Sequence, residues 1–231
     1  MVYCISDIHG EYELFVRLMD KIAFSTVDKL YVCGDIIDKG NEPVKLMKLL
    51  FSMPNVHCII GNHEHLFLRY YSELMKQEQG DNYDGVLKKL QEYIPGDGAL
   101  LDWETVDRLE SLPYYIETEK FICVHAGVPL VGKKIVPIKS ATREQLVYDR
   151  RFKEPNVEVD TEKCIFFGHT PTCYINGKTD ILAYKKQGKT GSAIDDYYKV
   201  HLDTGTTLNG VIGCFCVDTC KATYVKRDFQ I

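Results

Sequence analysis

Five short motifs place carboxylate, imidazole and amide side chains beside glycines. They read S-D-I-H-G, G-D-I-I-D-K-G, G-N-H-E, H-A-G and G-H-T. The donor atoms that they offer to a metal ion belong to six residues: Asp7, His9, Asp35, Asn62, His125 and His169. Carboxylates and imidazoles without a thiolate are typical of manganese, iron or zinc in a catalytic site rather than of structural zinc.

Six donors are enough for two ions if one carboxylate bridges them. Two ions about 3.5–4 Å apart are the usual arrangement for in-line attack on phosphorus. Two divalent ions also bring more positive charge than two aspartates and a bridging hydroxide cancel, so the site would attract a phosphate ester. Each motif alone has a structural alternative: Asp7 could cap a helix, Asp38 could stabilise a turn, and His125 could be a core histidine. The five motifs together favour the metal site.

The elements that must position these motifs are short apolar strands. The runs VYCI, KLYVC, HCII, FICV and CIFF end at Ile5, Cys33, Ile60, Val124 and Phe167, each directly before a motif. Apolar stripes at helical spacing in 12–22 and 43–51 predict helices between the first three strands, which indicates an α/β class. Because ligands bind beyond the carboxyl ends of strands in such sheets, we expect the motifs to converge.

The remainder of the chain predicts one domain, 1–231, with a helical insert at 64–112. The insert has no strand signal, and we expect it to pack beside the sheets as one wall of the active-site cleft. A separate helical domain is the alternative, but the strand pattern resumes at Tyr114. From Ile181 onward the pattern is strands and turns, with a polar loop at 185–192.

Composition excludes several classes of protein. The 231 residues are 45% hydrophobic and 26% charged, with a net charge of −5, so there is no basic footprint for extended nucleic-acid binding. We find no signal peptide and no stretch long enough to cross a membrane. Nine scattered cysteines, including C-x-C-x3-C at Cys214, Cys216 and Cys220 without a second pair, are read as free thiols of a cytoplasmic protein. The oligomeric state stays open.

In this order, the five motifs resemble those of the metallophosphoesterase superfamily. More narrowly, they are similar to the phosphoprotein phosphatases, the metal-dependent serine/threonine phosphatases, in their bacterial and phage-type forms. The match extends from Asp7 to Gly205, where D-T-G is also family-like. The resemblance implies a β-sandwich of two mixed sheets flanked by helices.

The resemblance also implies roles. The first ion would be held by Asp7, His9 and Asp35. The second would be held by Asp35, Asn62, His125 and His169, with Asp35 as the bridge. A metal-bound hydroxide would be the nucleophile, with Mn²⁺ favoured over iron or zinc.

The general acid and the phosphate contacts are implied in the same way. His63 would protonate the leaving alkoxide, and Asp38 would orient its imidazole. Lys39 stands where the family usually has an arginine, and Y-D-R at Tyr148–Arg150 is the nearest match to the W-x-R element. Arg150 is therefore the predicted phosphate clamp, with the neighbouring Arg151 as the alternative register. Whether His201 borders the site stays open.

These features favour a phosphomonoesterase that acts on phosphoserine and phosphothreonine in proteins, or on a small phosphoester. The first alternative is a hydrolase of symmetrical dinucleoside tetraphosphates or of nucleic-acid phosphate ends. Asp38 weighs against the dinucleotide version, since those relatives tend to lack an aspartate there, but Lys39 reopens the question. A non-catalytic interaction protein on the same scaffold is the remaining alternative.

Overall fold

The structure is a computed structural model that describes residues 1–77, 82–94, 96 and 98–228. Parts of the predicted insert, at 78–81, 95 and 97, lie outside the described residues. The strands are β1 (Val2–Ile5), β2 (Lys29–Val32), β3 (Val56–Cys58), β4 (Tyr115–Glu117), β5 (Phe121–Val124), β6 (Leu130–Val131), β7 (Lys134–Ile135), β8 (Cys164–Phe167), β9 (Leu182–Lys185), β10 (Tyr197–His201), β11 (Val211–Cys216) and β12 (Lys221–Lys226). The α-helices are α1 (Tyr12–Lys21), α2 (Pro43–Ser52), α3 (Asn62–Gln77), α4 (Tyr83–Tyr93), α5 (Trp103–Glu110), α6 (Arg143–Tyr148), α7 (Cys173–Asn176) and α8 (Thr206–Asn209).

Ten of these strands form two five-stranded mixed sheets, in the orders β12-β11-β1-β2-β3 and β4-β5-β8-β10-β9. The pairings among β1, β2 and β3 are parallel, as are those among β5, β8 and β10. The β12–β11 and β11–β1 pairings of the first sheet are antiparallel, as are the β4–β5 and β10–β9 pairings of the second. The two mixed sheets flanked by helices confirm the predicted fold.

The sheets pack face to face, because both turn apolar side chains toward one shared layer. Cys4 and Phe215 of the first sheet meet Cys123, Phe166 and Val200 of the second in one buried cluster. A second apolar cluster lies on the outer face of the first sheet and includes buried residues of α1–α5. A third lies outside the second sheet and includes Leu146 of α6 and Phe152. In the described part of the chain, no helix is long and apolar enough to cross a membrane.

The predicted helices at 12–22 and 43–51 match α1 and α2 within one residue. In α1, Leu14, Phe15 and Leu18 are the buried stripe, and α2 has proline at its first turn, where the missing N–H costs nothing. The predicted strand HCII is wrong at its end, since β3 stops at Cys58. The reason is that the amide of Ile60 bonds to the Pro113 carbonyl at 2.9 Å rather than continuing the ladder.

The sequence pattern misses the β6–β7 hairpin and α6. Both elements are too short for a hydrophobic period to be read. A signal for α6 did exist, because T-x-x-Q at its start is a capping box: Thr142 accepts from the Gln145 amide, and the Gln145 side chain accepts from the Thr142 amide.

Candidate metal centre

The five motifs converge at one end of the sandwich because two strand registers bring them there. Ile5 of β1 lies opposite Val32 of β2, so the S-D-I-H-G and G-D-I-I-D-K-G motifs leave the first sheet side by side. Cys123 of β5 lies opposite Phe166 of β8, which does the same for H-A-G and G-H-T in the second sheet. The structure thus brings the motifs together as expected, and it divides them between the two sheets.

Backbone conformation in the motifs is unusual. Eight non-glycine residues in the described chain have positive φ, and six of them are motif residues: Asp7, His9, Asp35, Asp38, Lys39 and His169. Aspartate and histidine are enriched in this left-handed region, but each such residue still costs of the order of 1–3 kcal/mol. Strain of this kind persists where the surrounding structure holds it, and it is concentrated at functional sites.

Asp7, His9 and Asp35 surround the first candidate ion position. His9 Nδ1 lies 2.9 Å from the Ile37 carbonyl oxygen, so that nitrogen donates its hydrogen and Nε2 faces the site. His9 Nε2 is 3.5 Å from Asp35 Oδ2 and 4.0 Å from Asp7 Oδ1. All three residues are buried.

Asn62, His125 and His169 surround the second position together with the other Asp35 oxygen. His125 Nε2 lies 2.9 Å from Asn62 Oδ1, 3.2 Å from His169 Nδ1 and 3.4 Å from Asp35 Oδ1. His169 Nδ1 is 2.8 Å from Asn62 Oδ1. The structure therefore brings together all six predicted ligands, with Asp35 between the two groups.

The donor set fits cations because electron pairs face each other without a hydrogen atom between them. His125 Nδ1 lies 2.9 Å from the Cys33 carbonyl oxygen, so the neutral ring carries its hydrogen there. Its Nε2 then presents an electron pair to Asn62 Oδ1, which has no hydrogen either. A positive ion between the two atoms removes this repulsion. Asp35 belongs to both groups of ligand atoms that lie within 4.8 Å of one another, which fits a bridging carboxylate.

The protonation of these groups also suits metal binding. Burial lowers the pKa of His9 to about 3, with the Lys39 charge adding to the effect, and burial lowers the pKa of His169 to about 3. Both rings are thus neutral, the form that binds a metal. Burial and the charge of Asp7 raise the pKa of Asp35 well above its usual range. Two carboxylates this close cannot both ionise easily without a cation.

Glycines allow the loops to approach the ligands closely. A Cβ atom at Gly168 would overlap Asp7 Oδ2, and one at Gly61 would overlap Asp35 Oδ1. The carboxylates of Asp7 and Asp35 therefore have room beside the backbone only because Gly168 and Gly61 lack side chains.

Glu64 holds the Asp35 loop from below. Its buried carboxylate accepts four backbone hydrogen bonds, from Asp35 at 2.8 Å, Ile36 at 2.7 Å, Ile37 at 3.0 Å and Gly61 at 2.8 Å. Glu64 lies in the first turn of α3, so one side chain joins the G-D-I-I-D-K-G and G-N-H-E motifs. It positions the backbone of a ligand rather than binding an ion itself.

His63 and Asp38 form a pair at the rim of the two groups. His63 Nδ1 lies 2.7 Å from Asp38 Oδ2, and both side chains are 20% exposed. His63 Nε2 lies 3.9 Å from Asp35 Oδ2, so this nitrogen faces the ion positions. Burial lowers the pKa of His63, but the hydrogen bond to Asp38 and the charge of Asp35 outweigh it and raise the pKa above its ordinary value.

The predicted phosphate contacts lie on two sides of the centre. Lys39 Nζ is 2.7 Å from His9 Nε2, which places the ammonium against a predicted ligand of the first candidate ion position. The charge of Arg150 adds to burial and to the charge of His125 in lowering the pKa of His169, so Arg150 is near the second group. Arg151 lines a separate cleft beside Phe152.

The other histidines have structural surroundings. His65 Nδ1 lies 2.8 Å from the Tyr114 hydroxyl on the buried side of α3. The buried ring of His201 stacks on Phe167, with ring centroids 4.5 Å apart.

The cysteines do not form a metal site. All nine, each within the described residues, are free thiols. Burial raises the pKa of Cys214 to about 12, so its thiol stays protonated. Among the residues that the structure describes, the metal-ligand groups found are the two that share Asp35, and neither contains a cysteine.

Three residues near the site were not predicted. Ser6 donates to Asp7 Oδ2 and, at 3.1 Å, to the Cys33 carbonyl oxygen. Tyr148 at the end of α6 faces His169, with ring centroids 6.5 Å apart. Lys199 is fully buried and donates to the carbonyl oxygens of Phe152, Glu154 and Val157, in the segment after Arg150. A lysine inside the apolar strand YYKVH was the available signal for the last.

Comparisons with known proteins identify the family of the chain. A family model described as calcineurin-like phosphoesterase matches residues 1–188. Symmetrical bis(5′-nucleosyl)-tetraphosphatase of Cellvibrio japonicus is 33% identical over 129 residues, covering 55% of this chain and 45% of that protein. The enzyme of the same name from Pseudomonas putida F1 is 26% identical over 216 residues, covering 84% of this chain and 71% of that protein. The chain thus spans less than half of the first of these relatives.

Solved structures agree on the fold. A structure described as a candidate diadenosine tetraphosphatase superposes with a TM-score of 0.69 at 17% identity, covering 97% of this chain and 92% of that one. A cold-active protein-tyrosine phosphatase from a Shewanella species has a TM-score of 0.55 at 15% identity, covering 97% and 80%. At such low identities, these likenesses establish the architecture alone.

Proposed function

Because this chain belongs to the calcineurin-like phosphoesterase family and is thus a metallophosphoesterase hydrolase, we propose that it cleaves dinucleoside tetraphosphates symmetrically, using two divalent ions. The observation that carries the substrate class is the similarity to symmetrical tetraphosphatases, which in one case extends over 84% of the chain. The serine/threonine protein phosphatase favoured by the sequence motifs becomes the second candidate, because the relatives favour the alternative.

The reaction is a hydrolysis at the middle of the polyphosphate. A water oxygen bonds to one of the two central phosphorus atoms, the bond from that phosphorus to the central bridging oxygen breaks, and two nucleoside diphosphates leave. When bound, the ions would lower the pKa of the attacking water and offset charge on the phosphate oxygens. We propose Mn²⁺, with iron or zinc as alternatives, held by the six ligands around Asp35.

Residues of the chain supply the remaining steps. His63 is the group whose Nε2 gives a proton to a leaving oxygen that needs one, as an alkoxide does, and Asp38 accepts the Nδ1 hydrogen, which orients the ring. Arg150 and Lys39 contact phosphate oxygens from opposite sides. Lysine there keeps the positive charge but lacks the planar, bidentate guanidinium of the usual arginine.

A direct comparison of substrates tests the proposal. The protein reconstituted with Mn²⁺ is assayed with diadenosine tetraphosphate, a phosphoserine peptide, a 5′-phosphorylated oligonucleotide and p-nitrophenyl phosphate. We expect the highest kcat/KM on the tetraphosphate, with ADP as the only nucleotide product. Faster turnover of the peptide or of the oligonucleotide would contradict the proposal and identify that compound as the better substrate. Failure to hydrolyse any of the four favours the non-catalytic alternative.

The second candidate has one observation in its favour, the His63–Asp38 pair. A serine alkoxide needs a proton to leave, whereas a phosphate oxygen, whose second pKa is about 6, leaves readily without one. We therefore expect His63→Asn to lower kcat by roughly 10²–10⁴-fold on phosphoserine and far less on the tetraphosphate. Calorimetric titration with Mn²⁺ serves as the control, since loss of metal binding would give an equal loss on both substrates.

A further inference from the structure

A cleft of about 320 Å³ opens on the outer side of the second sheet. Val128, Leu130, Phe152 and Val157 give it apolar surface, and it is also lined by the polar side chains of Gln145, Asp149 and Arg151. Pockets for small organic ligands usually measure about 300–1,000 Å³ and combine apolar walls with a few polar groups. The cleft has both properties.

The cleft shares its walls with the loops of the metal centre. Val128 comes three residues after His125. Gly127 packs so closely on Phe152 that a Cβ atom at position 127 would overlap Cβ and Cγ of Phe152. A second segment that lines the cleft follows α6. Within it, Arg150 lies near His169 and Arg151 lines the cleft. The cleft is therefore lined by the segments that follow the H-A-G motif and Arg150 along the chain.

The Phe152 wall is held from below by a buried cation. The ammonium of Lys199 donates to three backbone carbonyl oxygens, of Phe152 at 2.9 Å, Glu154 at 2.8 Å and Val157 at 2.9 Å. Two of these three residues line the cleft. Asp149 Oδ1 also accepts from the amides of Arg151 at 2.8 Å and Phe152 at 2.7 Å, which fixes the turn before the wall. A wall fixed in this way loses little entropy on binding.

We propose that this cleft binds one nucleoside of the substrate, with the base against Phe152 and Leu130 and with Arg151 over the base or on the adjoining phosphate. A base has apolar faces and a polar edge, which match the walls and the Gln145 and Arg151 groups; guanidinium groups also stack well on bases. The inference rests on the proposed function, and it adds contacts to the nucleoside to those that the centre makes with phosphate.

The test compares a substrate that has a base with one that does not. Leu130→Trp fills the cleft, and Arg151→Gln removes its charge at an exposed position. Lys139→Gln, an exposed residue outside the lining, makes the same charge change as a control. For each cleft variant, we expect the ratio of kcat/KM on diadenosine tetraphosphate to kcat/KM on p-nitrophenyl phosphate to fall on the order of 10-fold or more. An unchanged ratio in both variants overturns the cleft assignment.

Product inhibition separates this inference from the proposed function. With p-nitrophenyl phosphate as the reporter, we expect ADP to inhibit the wild type more strongly than inorganic phosphate, and Leu130→Trp and Arg151→Gln to weaken ADP inhibition alone. This result supports the cleft even if the tetraphosphate is not hydrolysed. Thermal denaturation of both variants checks that they are folded. Equal inhibition by ADP in the wild type and in Arg151→Gln overturns the cleft assignment.

Discussion

Individual residues at the candidate metal centre are positioned by partners outside the six predicted ligands. Glu64 fixes the backbone of Asp35, the Cys33 carbonyl fixes the His125 ring, and Asp38 fixes His63. Such partners decide the tautomer and the direction of each ring. The chemistry of a residue here therefore depends on its neighbour as much as on its type.

Asp38 should set the pH dependence of catalysis. Its hydrogen bond is one of the interactions that raise the pKa of His63, so it keeps the proton on the imidazole to higher pH. A general acid works only while protonated, so activity falls as pH rises through that pKa. We expect Asp38→Asn to move the alkaline limb of the kcat profile on phosphoserine to lower pH. A limb that stays in place in this variant would mean that His63 is not the acid.

Lys39 should compete with the first ion. Its ammonium lies 2.7 Å from His9 Nε2, the atom that faces that ion position. We expect Lys39→Met to raise the affinity for Mn²⁺, measured by calorimetric titration, by several-fold, and to weaken inhibition by inorganic phosphate. Lys39→Arg keeps the positive charge and is the matched variant: an equal gain in Mn²⁺ affinity there would contradict the competition.

At the scale of elements, hydrophobic patterning predicts what is long or buried on both faces. The five motif strands and the first two helices follow from it, because each buries a continuous apolar face. The β6–β7 hairpin and α6 depend on their neighbours instead, and so does the split of the motifs over two sheets. Residue types predicted the six candidate ligands that the structure brings together, whereas the Ser6–Cys33 contact and the hydrogen bonds of Lys199 join groups distant in sequence.

Lys199 should be an essential strut of the segment after α6. Burial lowers the pKa of its ammonium to about 8, so it is still mainly charged at neutral pH and donates to three carbonyl oxygens. A buried acceptor left without a donor costs about 1–3 kcal/mol. We therefore expect Lys199→Met to lower the free energy of unfolding by about 2–4 kcal/mol in urea denaturation. The loss is smaller than the sum over three acceptors because the segment can relax around the methionine. Lys221→Met, at an exposed position of β12, is the control and should change it little. Equal stability of the two variants would contradict the strut.

At the scale of the whole molecule, the centre joins the two sheets. Asp7, Asp35 and Asn62 follow strands of the first sheet, whereas His125 and His169 follow strands of the second. Protein contacts already cross this gap, since the His169 amide donates to Asp7 Oδ2 at 3.0 Å. An ion bound by both sets would add to these contacts in the folded state alone, because unfolding separates the ligands.

Metal removal should therefore lower the stability of the whole fold. An ion at 100 times its dissociation constant stabilises the folded state by about 2.7 kcal/mol, and for a chain of this size 1 kcal/mol shifts Tm by about 2–4 °C. We expect Mn²⁺ to raise Tm over the EDTA-treated protein by about 5–10 °C in thermal denaturation.

The shift should be much smaller in His125→Asn, which removes a predicted ligand of the second sheet, and unchanged in His57→Asn, a histidine of β3 outside the centre. Because each variant is compared with its own EDTA-treated form, a loss of intrinsic stability does not enter the comparison. A full shift in His125→Asn would mean that the stabilising ion is not held between the sheets.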